Sequence, residues 1–260
     1  MRHTVGMSLP RFVVDGAAAP PAEGALVRLG DEQARHLGVL RLKPGAALEL
    51  LLPPGGAGGD WIPWRADLAE LARHHALVRL VAPLAEAREA PRPLLAYLPL
   101  PAQLSLLDDL LPPLVELGAT RLQPVVYARS EHDPRKTAAR LERWRRIALA
   151  ACEQSHRTRP PEFLEPLPFE GLLAVDAAQK WVAYELPTGA ANPDLGPGSL
   201  AFTSGPEGGI THGEFAALQG ACWQAVSLGP AILRAVTAPV ALLGAVQFLL
   251  RGKAWHPGAE

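Results

Sequence analysis

A change of rhythm at residues 82–93 constrains the fold more than any other feature of the chain. Ahead of it, apolar residues gather in short strand-like runs at 11–14, 25–29, 47–52, 61–68 and 76–81, separated by glycine and proline turns. The plainest of these turns is PPGGAGGD at 53–60. Runs of this length and punctuation predict a small β-rich barrel. A short helix at 31–37 interrupts them, with Asp31 placed as its N-cap. The stretch 82–93, APLAEAREAPRP, carries three prolines and alternating charge and reads as a linker. Beyond it strand and helix patterns alternate, with strands at 94–98, 122–126, 172–175, 181–185, 199–203 and 225–228. Helices are predicted at 104–117, 137–155 and about 239–250. That order predicts an α/β fold with a parallel sheet and crossover helices. The expected organisation is a first domain over 1–81, a linker over 82–93 and a second domain over 94–260.

Composition enters as a set of exclusions. With 260 residues and 48% hydrophobic content, the chain can bury a substantial core in one large or two modest domains. It has no apolar run of the roughly 18 residues that a bilayer requires, so no membrane partner is expected. Residues 1–10 lack the apolar run of a secretory signal, and Cys152 and Cys222 are too few for a disulfide framework. A reducing cytoplasm is the expected location. The near-zero net charge averages two unlike segments: 121–160 holds ten basic and four acidic residues, whereas 161–260 holds four basic and nine acidic. The basic block can receive a polyanion, and a solvated helix face is the plainer alternative.

Two loops carry most of the chemical information. Ser204, Gly205, Pro206, Glu207, Gly208 and Gly209 follow an apolar strand, and Thr211 and Glu214 have the spacing of a capping box, so a helix is expected from His212. The glycines permit close backbone approach to a ligand, although G-x-G-x-x-G is absent. A second loop, SLGPAILRAVTA at 227–238, again joins a strand to a helix. Paired loops at the carboxyl ends of parallel strands are where an open α/β sheet places its ligand. Arg234 follows the second loop and could meet a phosphate or substrate, or form a surface salt bridge. Cys152 and His156 lie at i, i+4, but a cysteine near a helix end is more often packing, and no orienting carboxylate is evident. The eight histidines form no H-E-x-x-H pattern, and no metal is implied.

Taken together, HLGVLRLKPG (36–45), VELGA (115–119), ARS (128–130), EQSHR (153–157), GPEGG (205–209) and LGPAILRAVTA (228–238) resemble one family in content and order. It is the ribosomal RNA small-subunit methyltransferase E family of the SPOUT superfamily, which makes 3-methyluridine in 16S rRNA. The resemblance runs from about residue 11 to residue 247. It implies an N-terminal PUA-like RNA-binding barrel, a C-terminal domain threaded into a trefoil knot and a homodimer packed through the knotted region. It implies S-adenosylmethionine held by Glu185, Ser204, Gly205, Pro206, Glu207, Gly208, Gly209, Leu228, Gly229, Ile232 and Leu233. Methylation at N3 of uridine builds negative charge on O2 and O4, and Arg234 is the candidate catalytic residue to meet it. It also implies 16S rRNA or the small subunit as partner, contacted by Arg11, His36, Arg41, Arg129, Arg143, Arg145, Arg146, Gln154, Ser155 and Arg157. The chain departs from the family pattern at Pro113, where a lysine is usual, and at Val236, where a glutamate is usual. Two rivals stand beside this reading: a SPOUT enzyme for another RNA site and, motivated by these departures, a non-catalytic RNA-binding assembly factor.

Overall fold

The computed structural model describes residues 9–14, 21–53, 61–85, 88–185 and 192–251. It divides into two compact units, Met1–Glu89 with Cys152–Pro160, and Ala90–Ala151 with Pro161–Glu260.

The first unit contains β1 (Arg11–Val13), β2 (Leu26–Leu29), α1 (Asp31–Val39), β3 (Ala47–Leu52), β4 (Ile62–Leu71) and β5 (Ala76–Pro83). Its sheet runs β1-β3-β4-β5-β2, with β1 parallel to β3 and the other neighbours antiparallel. Successive strand side chains point to opposite faces. Leu48, Leu50 and Leu52, Trp64, Ala66 and Leu68, and Ala76, Val78 and Leu80 therefore form one core, completed by Phe12 and by Leu37 of α1. Asp31 is the first helical residue rather than the cap, which is Gly30 in an extended conformation. Its carboxylate turns to His74 and Arg35, and the hydrogen bond to His74 leads in holding its pKa below the ordinary value. β5 continues through Ala82 and Pro83, two residues into the stretch read as a linker. Of the expected turn at 53–60, residues 54–60 lie outside the described residues, as do 1–8 of the amino-terminal stretch.

Residues 152–160 return to this first unit and are bound to it by buried charge. Arg11, 3% exposed, donates through Nε and Nη2 to Glu49 at 2.9 and 2.7 Å and through Nη1 to the carbonyls of His156 and Arg157. Glu153 accepts the Val13 N–H at 2.7 Å. Arg157, 2% exposed, pairs with Glu89, whose carboxylate also accepts the N–H groups of Thr158 and Arg159.

The second unit contains β6 (Leu94–Pro99), α2 (Leu106–Glu116), β7 (Arg121–Val126), most of α3 (Pro134–Gln154), β8 (Glu162–Phe163), β9 (Leu167–Pro168) and α4 (Phe169–Leu173). It continues with β10 (Gln179–Ala183), β11 (Leu200–Thr203), α5 (His212–Gly220), β12 (Gln224–Val226) and α6 (Ala238–Arg251). The sheet runs β12-β10-β11-β6-β7-β8 with β9 also on β7, and every pairing is parallel. This is the expected α/β fold. Leu95 and Tyr97 of β6 join Tyr127, Phe169, Leu172, Leu218 and Trp223 in one core. Leu94, Ala96 and Leu98 alternate to the other face and are fully buried. α2 and α6 pack against each other, and Leu107, Leu111, Leu242 and Leu243 are buried in them. Pro113 sits inside α2.

One element differs in kind from expectation. The apolar run at 172–175 is not a strand, because Leu172 and Leu173 close the short helix α4, whose buried Phe169 and Leu172 stand at helical i, i+3 spacing. Among the described residues no helix is long and apolar enough to cross a membrane.

Candidate functional site

Three neighbouring parallel strands, β12, β10 and β11, deliver their carboxyl ends to one edge of the sheet. The segments that leave them enclose a cavity of about 760 Å³, within the roughly 300–1,000 Å³ usual for small-molecule sites. Glu185 follows β10; Ser204, Gly205, Pro206, Glu207 and Gly209 follow β11; Leu228, Gly229, Ile232, Leu233 and Arg234 follow β12, and all of them line it. Gly208 does not. Val236 lines it as well, as do Leu106, Ala183, Tyr184 and Val226, which no motif marks.

The first loop is held by its own chemistry. Thr211 Oγ1 accepts the Glu214 N–H at 3.2 Å, and Glu214 Oε2 accepts the Thr211 N–H and O–H at 2.8 Å each, so the capping box starts α5 at His212 as expected. Within the loop the Gly209 N–H donates to the Pro206 carbonyl at 2.8 Å, and Gly209 adopts φ +75°. A side chain at Gly205 would put its Cβ 3.0 Å from Ile210 Cγ1 and 3.2 Å from Ile210 N. Gly208 is turned to Arg129, which donates to its carbonyl at 2.8 Å. At the strand end Ser204 is 2% exposed, and its hydroxyl has no hydrogen-bond partner among the described residues. An unpaired buried hydroxyl costs about 1–3 kcal/mol. Below it Tyr127 and Thr203 share a buried hydrogen bond of 2.8 Å, and burial raises the Tyr127 pKa.

The second loop is clamped by an amide that the sequence reading passed over. Asn192 Oδ1 accepts the Ser227 N–H at 2.7 Å, and its Nδ2 donates to the Ser227 carbonyl at 2.9 Å. Tyr184 stacks flat on Phe215 with ring centroids 3.8 Å apart, stiffening one wall. Arg234 is exposed at the cavity, and its side chain makes no hydrogen bond or ion pair with the described residues. Glu185, Glu207 and Arg234 are the charged side chains that line it.

Of the ten residues expected to meet RNA, Arg129 is turned to the Gly208 carbonyl, and the other nine fall into three groups. His36 and Arg41 are exposed at the end of α1, His36 edge-on to Phe12 at 5.2 Å. Arg146 and Gln154 are exposed on α3, and Ser155 is half-buried. Arg143 donates to Asp108 at 2.9 Å, and Arg145 donates to Glu142 and Glu165, so both enter ion pairs within the second unit. Arg11 and Arg157 correct the expectation outright, because both guanidinium groups are buried and turned inward to Glu49 and Glu89. The sequence reading could see their charge but not their depth. Cys152 and His156 form no nucleophilic pair: His156 Nδ1 lies 3.1 Å from Glu49, and burial pushes the Cys152 thiol up to about 12. Among the described residues no group of His, Cys, Asp or Glu is placed to hold a metal ion.

The RNA methyltransferase domain family model matches residues 88–247. A ribosomal RNA small subunit methyltransferase E from Synechocystis sp. is 36% identical over 235 residues, covering 87% of this chain and 74% of that protein. The chain belongs to the ribosomal RNA small subunit methyltransferase E family. The family's Bacillus subtilis protein is 37% identical over 153 residues, 53% of this chain and 60% of that protein. The crystal structure of the Neisseria gonorrhoeae methyltransferase E, bound to S-adenosylmethionine, superimposes with a TM-score of 0.82 at 31% identity, covering 93% of this chain and 98% of that one. A Legionella pneumophila structure with bound S-adenosylmethionine gives a TM-score of 0.80 at 25% identity over 93% and 98%.

Proposed function

We propose that this protein uses S-adenosylmethionine to methylate N3 of a uridine in 16S rRNA, acting in the cytoplasm on the RNA or the small subunit. The observation that carries the reading is the convergence of two strand-to-helix loops on one cavity with a buried serine hydroxyl and an arginine that find no partner among the described residues. The cavity fits that donor. A side chain at Gly205 would crowd Ile210, Ser204 offers a hydroxyl in need of a partner, and Glu185 and Glu207 supply carboxylates suited to a cationic ligand. When bound, the donor supplies an electrophilic methyl group on a sulfonium.

The remaining work falls to the chain. N3 of uridine carries an imide proton, which leaves to solvent as N3 takes the methyl group, so N3 becomes a good nucleophile only as negative charge develops on O2 and O4. Arg234, free of internal partners among the described residues, is placed to stabilise that charge. The loops orient N3 toward the methyl group, which lowers the entropic barrier. His36, Arg41, Arg146, Gln154 and Ser155 hold the RNA, with phosphate contacts setting register. Arg143 and Arg145 reach phosphate by exchanging a carboxylate partner for it.

The first unit is the PUA-like barrel, the second unit the SPOUT domain with a trefoil knot, and the protein a homodimer. The barrel is supported by the mixed five-stranded sheet around one core. The knot is supported by the family resemblance and by the packing of α6 on α2 and β10. The dimer is supported by Phe248 and Leu249, 81% and 53% exposed on a helix whose other face is buried; a monomeric mass by light scattering at micromolar concentration rejects it. A second reading, a donor-binding assembly factor without catalysis, is favoured by Val236, which lines the cavity where the family usually has a glutamate. Mass mapping of small-subunit RNA from cells with and without the protein tests both. Loss of one 3-methyluridine on deletion supports the enzyme, and an unchanged nucleoside map sinks it.

A further inference from the structure

We infer that Arg129 and Glu214 are positioning residues for the donor cavity, pinning the 204–209 loop from the segment that follows β7. The inference rests on the donor reading above. Neither residue lines the cavity. Glu214 is 7% exposed, and its carboxylate is fully engaged: Oε2 takes the N–H and O–H of Thr211, and Oε1 takes the N–H of Ala128 at 2.7 Å. One buried carboxylate thus ties the start of α5 to the segment after β7. The next residue along that segment, Arg129, reaches the same loop, with Nη1 2.8 Å from the Gly208 carbonyl. The two backbones are close there as well, since a Cβ on Gly208 would lie 3.0 Å from Arg129 Cβ. The loop is therefore fixed at residue 208 and again at 211, on both sides of the left-handed Gly209.

The chemistry explains why these two residue types stand here. Three donors converge on Glu214, and a neutral amide of the same shape would present its own N–H₂ to one of them. A backbone carbonyl in an exposed loop needs a long donor that reaches it from a neighbouring element, which arginine provides. An arginine beside an RNA-modifying site is ordinarily read as a phosphate contact; the geometry assigns this one to the loop. Its removal then affects the donor first and the RNA little.

Calorimetric titration with S-adenosylmethionine, RNA binding at several salt concentrations and initial rates on Arg129→Met, Arg129→Lys and Glu214→Gln test the assignment. Arg129→Met is expected to weaken donor binding about 5-fold to 10-fold, the loss of one hydrogen bond. KM for the donor should rise while kcat at saturating donor stays near wild type. Arg129→Lys should restore most of the affinity, because an ammonium can donate to the same carbonyl. Glu214→Gln should weaken donor binding at least as much; if that variant does not fold, the two Arg129 variants decide. Unchanged donor affinity in Arg129→Met overturns the inference, and a salt slope for RNA reduced by about 0.7 in that variant would mark a phosphate contact instead. A wild-type protein that binds no donor removes the donor reading itself, a distinct outcome.

Discussion

Replacing Gly205 by alanine isolates the steric demand of the donor loop. The new Cβ would meet Ile210 Cγ1 at 3.0 Å and Ile210 N at 3.2 Å. The side-chain contact can relax by rotation, but the backbone nitrogen cannot, so the loop must open by a few tenths of an ångström. Gly205 has no positive φ, and the penalty is therefore packing alone. Forcing one extra carbon into such a space costs about 1–3 kcal/mol. If the opening spoils the donor-binding shape, the same energy appears as about a 5-fold to 150-fold loss of affinity. Two neighbouring glycines sharpen the test. Gly209→Ala places its Cβ in a roomier position, 3.9 Å from Arg129 Nη1, but at φ +75°, so it carries a backbone penalty of about 1–2 kcal/mol. Gly213→Ala in α5 meets nothing within 4 Å and should stabilise the fold by about 0.5–1 kcal/mol without touching affinity. Calorimetry with S-adenosylmethionine and thermal melts of the three variants give the ranking. Wild-type affinity and stability in Gly205→Ala would refute the reasoning, as would equal losses at 205 and 213.

Arg234→Ala should lower the single-turnover methyl-transfer rate by on the order of 100-fold with donor affinity unchanged; a parallel fall in donor affinity would make Arg234 a loop-holding residue instead. Glu89→Ala removes the carboxylate that accepts from Arg157, Thr158 and Arg159 and should destabilise the protein in urea unfolding by about 1–3 kcal/mol, and an unchanged stability would contradict the buried pairing. Iodoacetamide at pH 8 should label the exposed Cys222 and spare the buried Cys152 until the chain unfolds. The unfolded Cys152 thiol ionises near 9.0, whereas the folded one keeps its proton to about 12. Its contribution to stability is therefore complete below pH 9 and declines as the pH rises toward 12; a melting temperature insensitive to Cys152→Ala across that window would argue against it.

The loops that line the cavity were legible because their signals are local. A strand, a run of glycines and a capping box four residues long announce the first loop without knowledge of anything distant, and the second loop repeats the grammar. Asn192 was not legible, since its clamp on Ser227 spans 35 residues and an asparagine followed by proline reads as a turn. Charge misled for a related reason. Arg11 and Arg146 look alike in a sequence, yet one is sealed against Glu49 and the other faces solvent. The segment 172–175 shows a limit of periodicity, because four apolar residues fit a buried strand and the end of a helix equally well until Phe169 is seen to share the buried side with Leu172.

The grouping of residues 152–160 with the first unit bears on how the chain is made. Arg11 emerges from a ribosome early, but two of its carbonyl acceptors, on His156 and Arg157, lie 145 and 146 residues downstream. At a synthesis rate of about 5–20 residues per second, those acceptors follow it by about 7–30 s. During that interval β6, α2, β7 and most of α3 are made, so much of the second unit's chain exists before the first unit can close. A cut between residues 89 and 90, where the two units meet along the chain, would release an amino-terminal fragment with Arg11 and Glu89 short of the groups that complete them.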